Sequence, residues 1–464
     1  MKFILLVIIL FCSCISLIAG VPVIPMPQSA NMTETVFNKN YLDRVLYVRD
    51  RNLAEEAYEI RILENLIIIK YSDNAGRFYA HQTLNQLAEA EVMCCGVIKD
   101  APRYEWRGLM LDEARHFFGK DQVIKLLDLM ARYKMNRLHW HLSDNQGWRV
   151  EIKAYPQLAA VGGIGCLSNR KAPAKFYTQD EIREIVAYAA ERNIEVIPEI
   201  DMPGHALAFT KVFPELNGGK KTVNPAKEEL YVVLETVMKE LAALFPGRYI
   251  HIGGDEVETD GWRACPDIPL FMKKEGIKSY NDIQKYFERR LCRIVNKLGK
   301  TVVAWDEVTE GNLDKDSTLI HWWRGNHPEV LEKCSKEGYR TIVCSWKAFY
   351  LDYAQDRRCE KGQLAHLGIF NDMKKLYNYN LPEYSCVIGV QANMWSEWIQ
   401  TPKRMEYMFF PRVIALAEKC WSSEEKSDYD NFLDRLSTEY RYLDKVGVYY
   451  YDHRNFNAHP EPLK

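Results

Sequence analysis

Tyr249-Ile250-His251-Ile252-Gly253-Gly254-Asp255-Glu256 carries the fold argument in eight residues. The first half is apolar enough for a buried strand and follows an amphipathic helix expected at 228–244. Gly253-Gly254 then frees the backbone where the strand ends, and two carboxylates come directly after. The same order of helix, short apolar strand and polar strand end recurs along the chain. Strands are expected at 109–111, 137–142, 195–200, 249–252, 301–305, 318–323, 341–344 and 387–394. Helices are expected at 121–133, 179–191, 228–244, 280–298 and 405–419. Eight strands alternating with helices predict a parallel sheet and fit a closed (β/α)8 barrel. An open doubly wound sheet is the alternative on pattern alone. No Gly-rich phosphate loop follows the first strand, which weakens the dinucleotide-binding form of that alternative.

Upstream, residues 22–102 read differently. Strands at 60–62 and 66–71 flank a Glu64-Asn65 turn, and a helix is expected at 76–90. The expected organisation is a leader at 1–20, a small α+β domain at 21–102 and an α/β (β/α)8 TIM barrel at 103–455, with a loose tail over 452–464. The leader reading rests on Met1-Lys2, the apolar run from Phe3 to Ala19 and the stop at Gly20-Val21-Pro22. It implies export through the secretory pathway, and no other long apolar run is present to span a membrane. Of twelve cysteines, two fall in the leader. None of the other ten forms a C-x-x-C pair, which removes the zinc and thioredoxin-like signatures. Cys265 and Cys359, in expected loops, are disulfide candidates in an exported chain, whereas Cys344, Cys386 and Cys420 lie in apolar runs and read as buried thiols. Asn31-Met32-Thr33 is a glycosylation sequon.

The chain has 464 residues, with 61 Lys plus Arg against 63 Asp plus Glu. A formal charge of −2 argues against nucleic acid or an anionic membrane surface as the main partner. A neutral ligand is easier to reconcile with it.

In a barrel the chemistry sits at the C-terminal ends of the strands. Those ends read Asp112-Glu113, His139-Trp140-His141-Leu142-Ser143-Asp144, Glu199-Ile200-Asp201 with His205 following, His251 to Glu256, Trp305-Asp306-Glu307, His321-Trp322-Trp323, Tyr350-Leu351-Asp352 and Trp395-Ser396-Glu397. One such Asp is usually a turn or cap residue; their coincidence at all eight ends is what points to a site. Asp255 and Glu256 are the sharpest pair. Adjacent carboxylates repel, so one keeps its proton near neutral pH while the other ionises, the division of labour that glycosidic cleavage needs. A metal site built from Asp255, Glu256 and nearby histidines is the competing reading. Trp305, Trp323 and Trp395 offer indole faces to a pyranose ring, and Arg107 and Glu397 offer charged hydrogen bonds to hydroxyls.

Arg107 to Asp112, His139 to Asp144, Asp201-Met202-Pro203-Gly204-His205, His251 to Glu256, Tyr350 to Asp352 and Met394 to Glu397 together make the chain resemble the family 20 glycoside hydrolases, the β-N-acetylhexosaminidases. The likeness runs from about residue 56 to Tyr450. It implies an exo-acting retaining enzyme that removes terminal β-linked GlcNAc or GalNAc, with the substrate's own acetamido oxygen as nucleophile and an oxazolinium intermediate. It implies Glu256 as general acid and then base, Asp255 as acceptor of the acetamido N–H, and Tyr350 as donor to the acetamido oxygen. Trp305, Trp323 and Trp395 would enclose the sugar, Trp323 being chosen over its neighbour Trp322. Arg107, Asp352 and Glu397 would bind hydroxyls, and Asp144, Asp201, His205 and His251 would support the acidic pair. No cofactor and no metal are implied, and the partner is an oligosaccharide or glycoconjugate substrate. A disaccharide-releasing relative of lacto-N-biosidase type, a silent sugar-binding protein and a metal-dependent hydrolase remain as alternatives.

Overall fold

The structure is a computed structural model that describes residues 21–463; the expected leader at 1–20 lies outside them. The N-terminal unit is a five-stranded sheet formed by Ser29–Val36, Val45–Arg49, Tyr58–Leu63, Leu66–Tyr71 and Cys94–Asp100, with the helix Asn74–Glu89 packed on one face. The Tyr58–Leu63 and Leu66–Tyr71 hairpin turns at Glu64-Asn65 as the sequence predicts. Its alternating Ile60, Ile62, Ile67 and Ile69 meet Tyr79, Leu84 and Leu87 of the helix in a separate core. The sequon residue Asn31 is exposed on an edge strand.

The second unit is a closed barrel. Its strands, in chain order, are Trp106–Asp112, Arg137–His141, Glu195–Glu199, Tyr249–His251, Thr301–Trp305, Thr318–Trp322, Arg340–Val343 and Val387–Met394. Each pairs in parallel with the next, and the eighth closes on the first through Met394 opposite Leu111. The open-sheet alternative is thereby removed. Outward-facing residues such as Leu109, Leu111, Leu138 and Trp140 pack against the surrounding helices in the main core. Inward-facing residues form layers. Trp106, Ile197, Tyr249, Val303, Leu319 and Ile342 fill the lower end. A polar layer of His139, His251, His321 and Gln391, all fully buried, lies above. Met110, Trp305 and Cys344 form the layer under the upper mouth. His139 and His141 are two apart on their strand, so both point inward.

The first strand corrects one expectation. Trp106, Met110 and Asp112 face inward, so Arg107 faces outward, and it stands at the entry end of the strand rather than the exit. Its guanidinium is fully buried. It donates to the Lys134 carbonyl at 2.8 Å, the Tyr104 carbonyl at 2.7 Å and the Tyr79 hydroxyl at 3.0 Å, and pairs with Glu56 at 2.8 Å. Glu56 and Tyr79 belong to the N-terminal unit. Arg107 is therefore a clasp between the two units. Trp421 reinforces the same junction by edge contact with Tyr79 and a 2.9 Å hydrogen bond to Asp100.

Three further expectations are revised. The single helix at 405–419 is two, Pro402–Phe409 and Arg412–Trp421, because Pro411 lacks the N–H a continuous helix would need. A 17-residue helix, Tyr429–Lys445, packs Phe432, Leu436, Tyr440 and Leu443 into the core and was not expected. The tail beyond Tyr450 is pinned rather than loose: Glu461 pairs with buried Arg404 at 3.0 Å. All ten cysteines among the described residues are free. Cys265 instead meets Asn224 and Cys359 meets Tyr407, so neither disulfide candidate is bridged. No helix among the described residues is long and apolar enough to cross a membrane.

Candidate active site

A cavity of about 430 Å³ opens at the C-terminal ends of the barrel strands. Arg115, His205, Asp255, Glu256, Trp323, Tyr350, Asp352, Trp395 and Glu397 are among the residues that line it. A larger concavity of about 830 Å³ lies far from this mouth, against the N-terminal helix. Its charged groups are already matched, Arg132 with Glu89 and Arg192 with Asp128, so it has no chemistry to offer.

The fourth strand ends at His251, and the chain then turns through Gly253 at φ 72° and Gly254 at φ 100°. A side chain on Gly253 would overlap Asp201 Oδ1, and one on Gly254 would meet Val308 at 2.6 Å. Glycine is required at both positions, and the turn is what lets consecutive carboxylates serve one site. Glu256 itself sits at φ 47°, unusual for a non-glycine residue, and its side chain is 61% exposed. Asp255 is nearly buried. Among the described residues, Asp255 Oδ1 and Asp352 Oδ1 have no protein partner. Both residues line the cavity, so these are the acceptors a ligand would satisfy.

The electrostatics separate the pair. Burial, joined by the charges of Glu307, Glu199 and Glu256, pushes Asp255 up to about 7, with His205 opposing. The His205 imidazole, 3.7 Å from Glu256 Oε2, holds Glu256 below its ordinary range. His205 also lies 3.9 Å from Asp255 Oδ2 and is anchored by Asp144, 3.1 Å from its Nδ1. Burial works against a charge on His205, but Asp144 and Asp201 raise it well above the usual imidazole range. Asp201 accepts from the Gly254 N–H at 3.2 Å; burial and the neighbouring Asp255 push its carboxyl well above the usual carboxylate range.

The aromatic walls divide by depth. Trp323 and Tyr350 lie nearly parallel, centroids 6.2 Å apart, and Trp395 tilts against Tyr350 at 6.3 Å. Trp323 donates its indole N–H to Glu307 at 3.0 Å. Trp322 turns outward, donating to the His327 carbonyl, which resolves the choice between the adjacent tryptophans. Trp305 is completely buried beneath Trp395, at 5.8 Å, and donates to Glu199 at 2.9 Å. It underlies the pocket and does not wall it. His251 likewise lies in the barrel interior, fully buried, and touches the acidic turn through the Gly253 N–H at 3.1 Å.

The arginine at the mouth is Arg115, three residues beyond the first strand, in place of the misassigned Arg107. It contacts Asp112 at 3.3 Å and Asp144 at 2.8 Å, lies 3.8 Å from Glu397, and stands over Trp395 at 4.8 Å. The strand-end rule alone favours this position, because Arg115 follows an exit and Arg107 precedes one. Glu307 and Glu199 were also not assigned to the site by the sequence reading, although both stand at or next to strand ends.

Among the described residues, three groups approach metal-ligand geometry: His139, His251 and His321; His141, Asp144 and Asp201; and Asp201, His205 and Asp255. In the first, the Gln391 amide donates to His139 Nδ1 at 3.0 Å, while His139 Nε2, His251 Nε2 and both His321 nitrogens have no hydrogen-bond partner. In the second and third, His141 and His205 are held well above the usual imidazole range and, as cations, repel an ion.

The family model "Glycosyl hydrolase family 20, catalytic domain" matches residues 104–424, and "Glycosyl hydrolase family 20, domain 2" matches 25–101. A β-hexosaminidase of Porphyromonas gingivalis is 36% identical over 86% of this chain and 55% of its own length. A β-hexosaminidase of Akkermansia muciniphila is 33% identical over 84% of both chains. The crystal structure of a family 20 exo-β-N-acetylglucosaminidase from Vibrio harveyi in complex with N-acetylglucosamine superposes with a TM-score of 0.86 at 32% identity, over 93% of this chain and 78% of that one. A barrel with paired carboxylates and indoles at its mouth has the form of a carbohydrate-cleaving protein, and this chain belongs to glycoside hydrolase family 20. It spans only 55% and 65% of the Porphyromonas gingivalis and Vibrio furnissii relatives.

Proposed function

We propose that the protein is an exo-acting retaining β-N-acetylhexosaminidase, releasing terminal non-reducing β-linked GlcNAc or GalNAc from oligosaccharides or glycoconjugates. The observation that carries this reading is the placement of Asp255. It is enclosed on the pocket wall with Oδ1 unpartnered, in a chamber it shares with Tyr350, Trp323 and Trp395. Such a chamber suits an acetamido group. The amide N–H donates to Asp255, the Tyr350 hydroxyl donates to the amide oxygen, and the indoles shield the methyl.

In this mechanism the acetamido oxygen attacks the anomeric carbon, the neighbouring-group route by which family 20 departs from the two-carboxylate scheme. Asp255 holds the amide in line and, once ionised, stabilises the positive charge that develops on it. The incoming N–H favours that ionised form over the neutral one of the open pocket. Glu256 protonates the leaving oxygen. In the open pocket it is ionised against His205; covering it with the leaving group removes water and raises its proton affinity. Water, deprotonated by Glu256, then opens the oxazolinium ring. Burial keeps the Tyr350 hydroxyl protonated and able to donate. Arg115, Asp352 and Glu397 are placed to take the sugar hydroxyls. The Vibrio harveyi neighbour, titled an exo enzyme bound to N-acetylglucosamine, supports the substrate class. The apolar run of residues 3–19 supports export.

A thiazoline analogue of the cyclic intermediate tests the reading. It should inhibit hydrolysis of nitrophenyl GlcNAc competitively and far more tightly than GlcNAc itself. No inhibition by the analogue, with the glycoside still turned over, would exclude acetamido participation.

A further inference from the structure

Below the pocket, four ring nitrogens crowd one carboxylate that the mechanism leaves unused, and two of them, on His141 and Trp305, donate to it. Glu199 ends the third barrel strand and is fully buried. Its Oε2 lies 2.5 Å from His141 Nδ1 and 2.9 Å from His139 Nε2. Its Oε1 lies 2.9 Å from Trp305 Nε1 and 3.0 Å from His251 Nδ1. From His141 the contacts continue outward. His141 Nε2 is 3.1 Å from Asp144 Oδ2, Asp144 Oδ2 is 3.1 Å from His205 Nδ1, and His205 Nε2 faces both Glu256 and Asp255.

We propose that Glu199 is a positioning residue, the inner terminus of a relay through His141, Asp144 and His205 that fixes the charge and pose of the Asp255–Glu256 pair. The inference rests on the functional reading above and extends it to a residue that never meets the sugar.

The charges along the relay alternate. Burial alone would neutralise Glu199, but His251, His141 and His139 hold it well below the usual carboxylate range. Burial likewise opposes charge on His141, and Glu199 and Asp144 together raise it well above the usual imidazole range. Asp144 is lowered against its own burial by Arg115 and His205. The sequence is minus, plus, minus, plus, and ends at ionised Glu256. Each charge is satisfied by its neighbours in a region of low dielectric, so loss of one member is felt at the others. Glu199 has a second arm. Its bond to Trp305 fixes the indole under Trp395, and its contact with His251 reaches the Gly253 N–H at the base of the acidic turn.

Asp255 is where the relay is read. The titratable groups that face it are Asp201 and Glu199 from the third strand's end, His205 from the following loop, Glu256 beside it and Glu307 from the fifth strand's end. Glu199 is one of the negative charges that keep Asp255 protonated in the open pocket. Removing that charge while keeping the shape makes Asp255 easier to ionise. Removing the positive charge of His141 while leaving Glu199 does the reverse.

The experiment compares Glu199→Gln, Glu199→Asp and His141→Gln by the pH dependence of kcat/KM for nitrophenyl GlcNAc. The acid limb reports ionisation of Asp255 in the free enzyme. Glu199→Gln should move that limb to lower pH by about half a unit or more, His141→Gln should move it to higher pH, and Glu199→Asp should leave it near the parent value. A uniform fall in kcat/KM with the limb unmoved in both neutral variants would reduce Glu199 to a packing residue and overturn the proposal. If Glu199→Gln does not fold, as judged by circular dichroism, the direction of the His141→Gln shift decides. Failure of the parent protein to cleave the glycoside would refute the functional reading instead, so the two failures are distinguishable.

Discussion

Arg115 Nη2 stands 2.8 Å from Asp144 Oδ2 while its guanidinium covers the Trp395 ring at 4.8 Å. One side chain thus touches both the sugar-facing wall and the buried acids behind it. Arg115→Lys should lower kcat/KM by about tenfold to a hundredfold, because an ammonium cannot hold Asp112, Asp144 and the indole face together. Arg107→Lys should do the converse, lowering the melting temperature while kcat/KM of the folded protein stays within about twofold. Kinetics and thermal unfolding on the two variants check the assignment; a catalytic defect confined to Arg107→Lys would reverse it.

Glu256→Gln should cost about 10² to 10⁴ in turnover of an oligosaccharide, where the departing sugar alkoxide needs a proton. Nitrophenyl GlcNAc should suffer less in the first step, because nitrophenolate leaves without help. Equal losses on both substrates would argue against general-acid assistance by this residue.

Asp255 sits where function opposes stability. Its folded pKa of about 7 lies above the ordinary 3.8, so the folded state binds the extra proton. Whatever the neutral carboxyl contributes is fully present below about pH 4 and is lost as pH rises through about 7. At about 1.4 kcal/mol per unit, the loss has an upper limit of about 4 kcal/mol. Asp255→Asn, which mimics the neutral form, should abolish most activity yet unfold at a higher temperature than the parent above pH 7. The difference should vanish near pH 4. Melting curves at the two pH values check this, and a variant that is less stable at both would contradict the electrostatic account.

Exhaustive dialysis against a chelator should leave hydrolysis unchanged, since the acetamido route needs no Lewis acid and His205 beside the acidic pair is held well above the usual imidazole range. Activity lost to the chelator and restored by a divalent ion would favour a metal-dependent reaction.

The barrel was legible because its signal is repeated. Eight apolar runs recur, most of them leading into a carboxylate, a histidine or an indole, and period-two alternation then puts Trp323 inside and Trp322 outside. What the sequence hid was depth. Trp305, Trp323 and Trp395 look alike as strand-end indoles, yet only Trp323 and Trp395 line the cavity, because Trp305 is the last residue of its strand and the other two lie one residue beyond theirs. Arg107 was misplaced by giving weight to a motif over position. Parity with Trp106 and Asp112 turns it outward, and five residues of strand put it about 17 Å below the exit. The helix Tyr429–Lys445 carried a readable spacing at Phe432, Leu436, Tyr440 and Leu443. Glu199 could not have been singled out, because its four partners come from three different strands and meet only when the barrel closes.

The first barrel strand also acts as a gauge. Its entry holds the clasp to the N-terminal unit and its exit leads to Arg115, so the nine residues from 107 to 115 set a fixed span between two anchored guanidinium groups. A single-residue deletion there would turn every side chain beyond it to the opposite face. Asp112 would leave the barrel interior, and no adjustment of Arg115 could restore both ends together. Length, more than composition, is the quantity this segment cannot change.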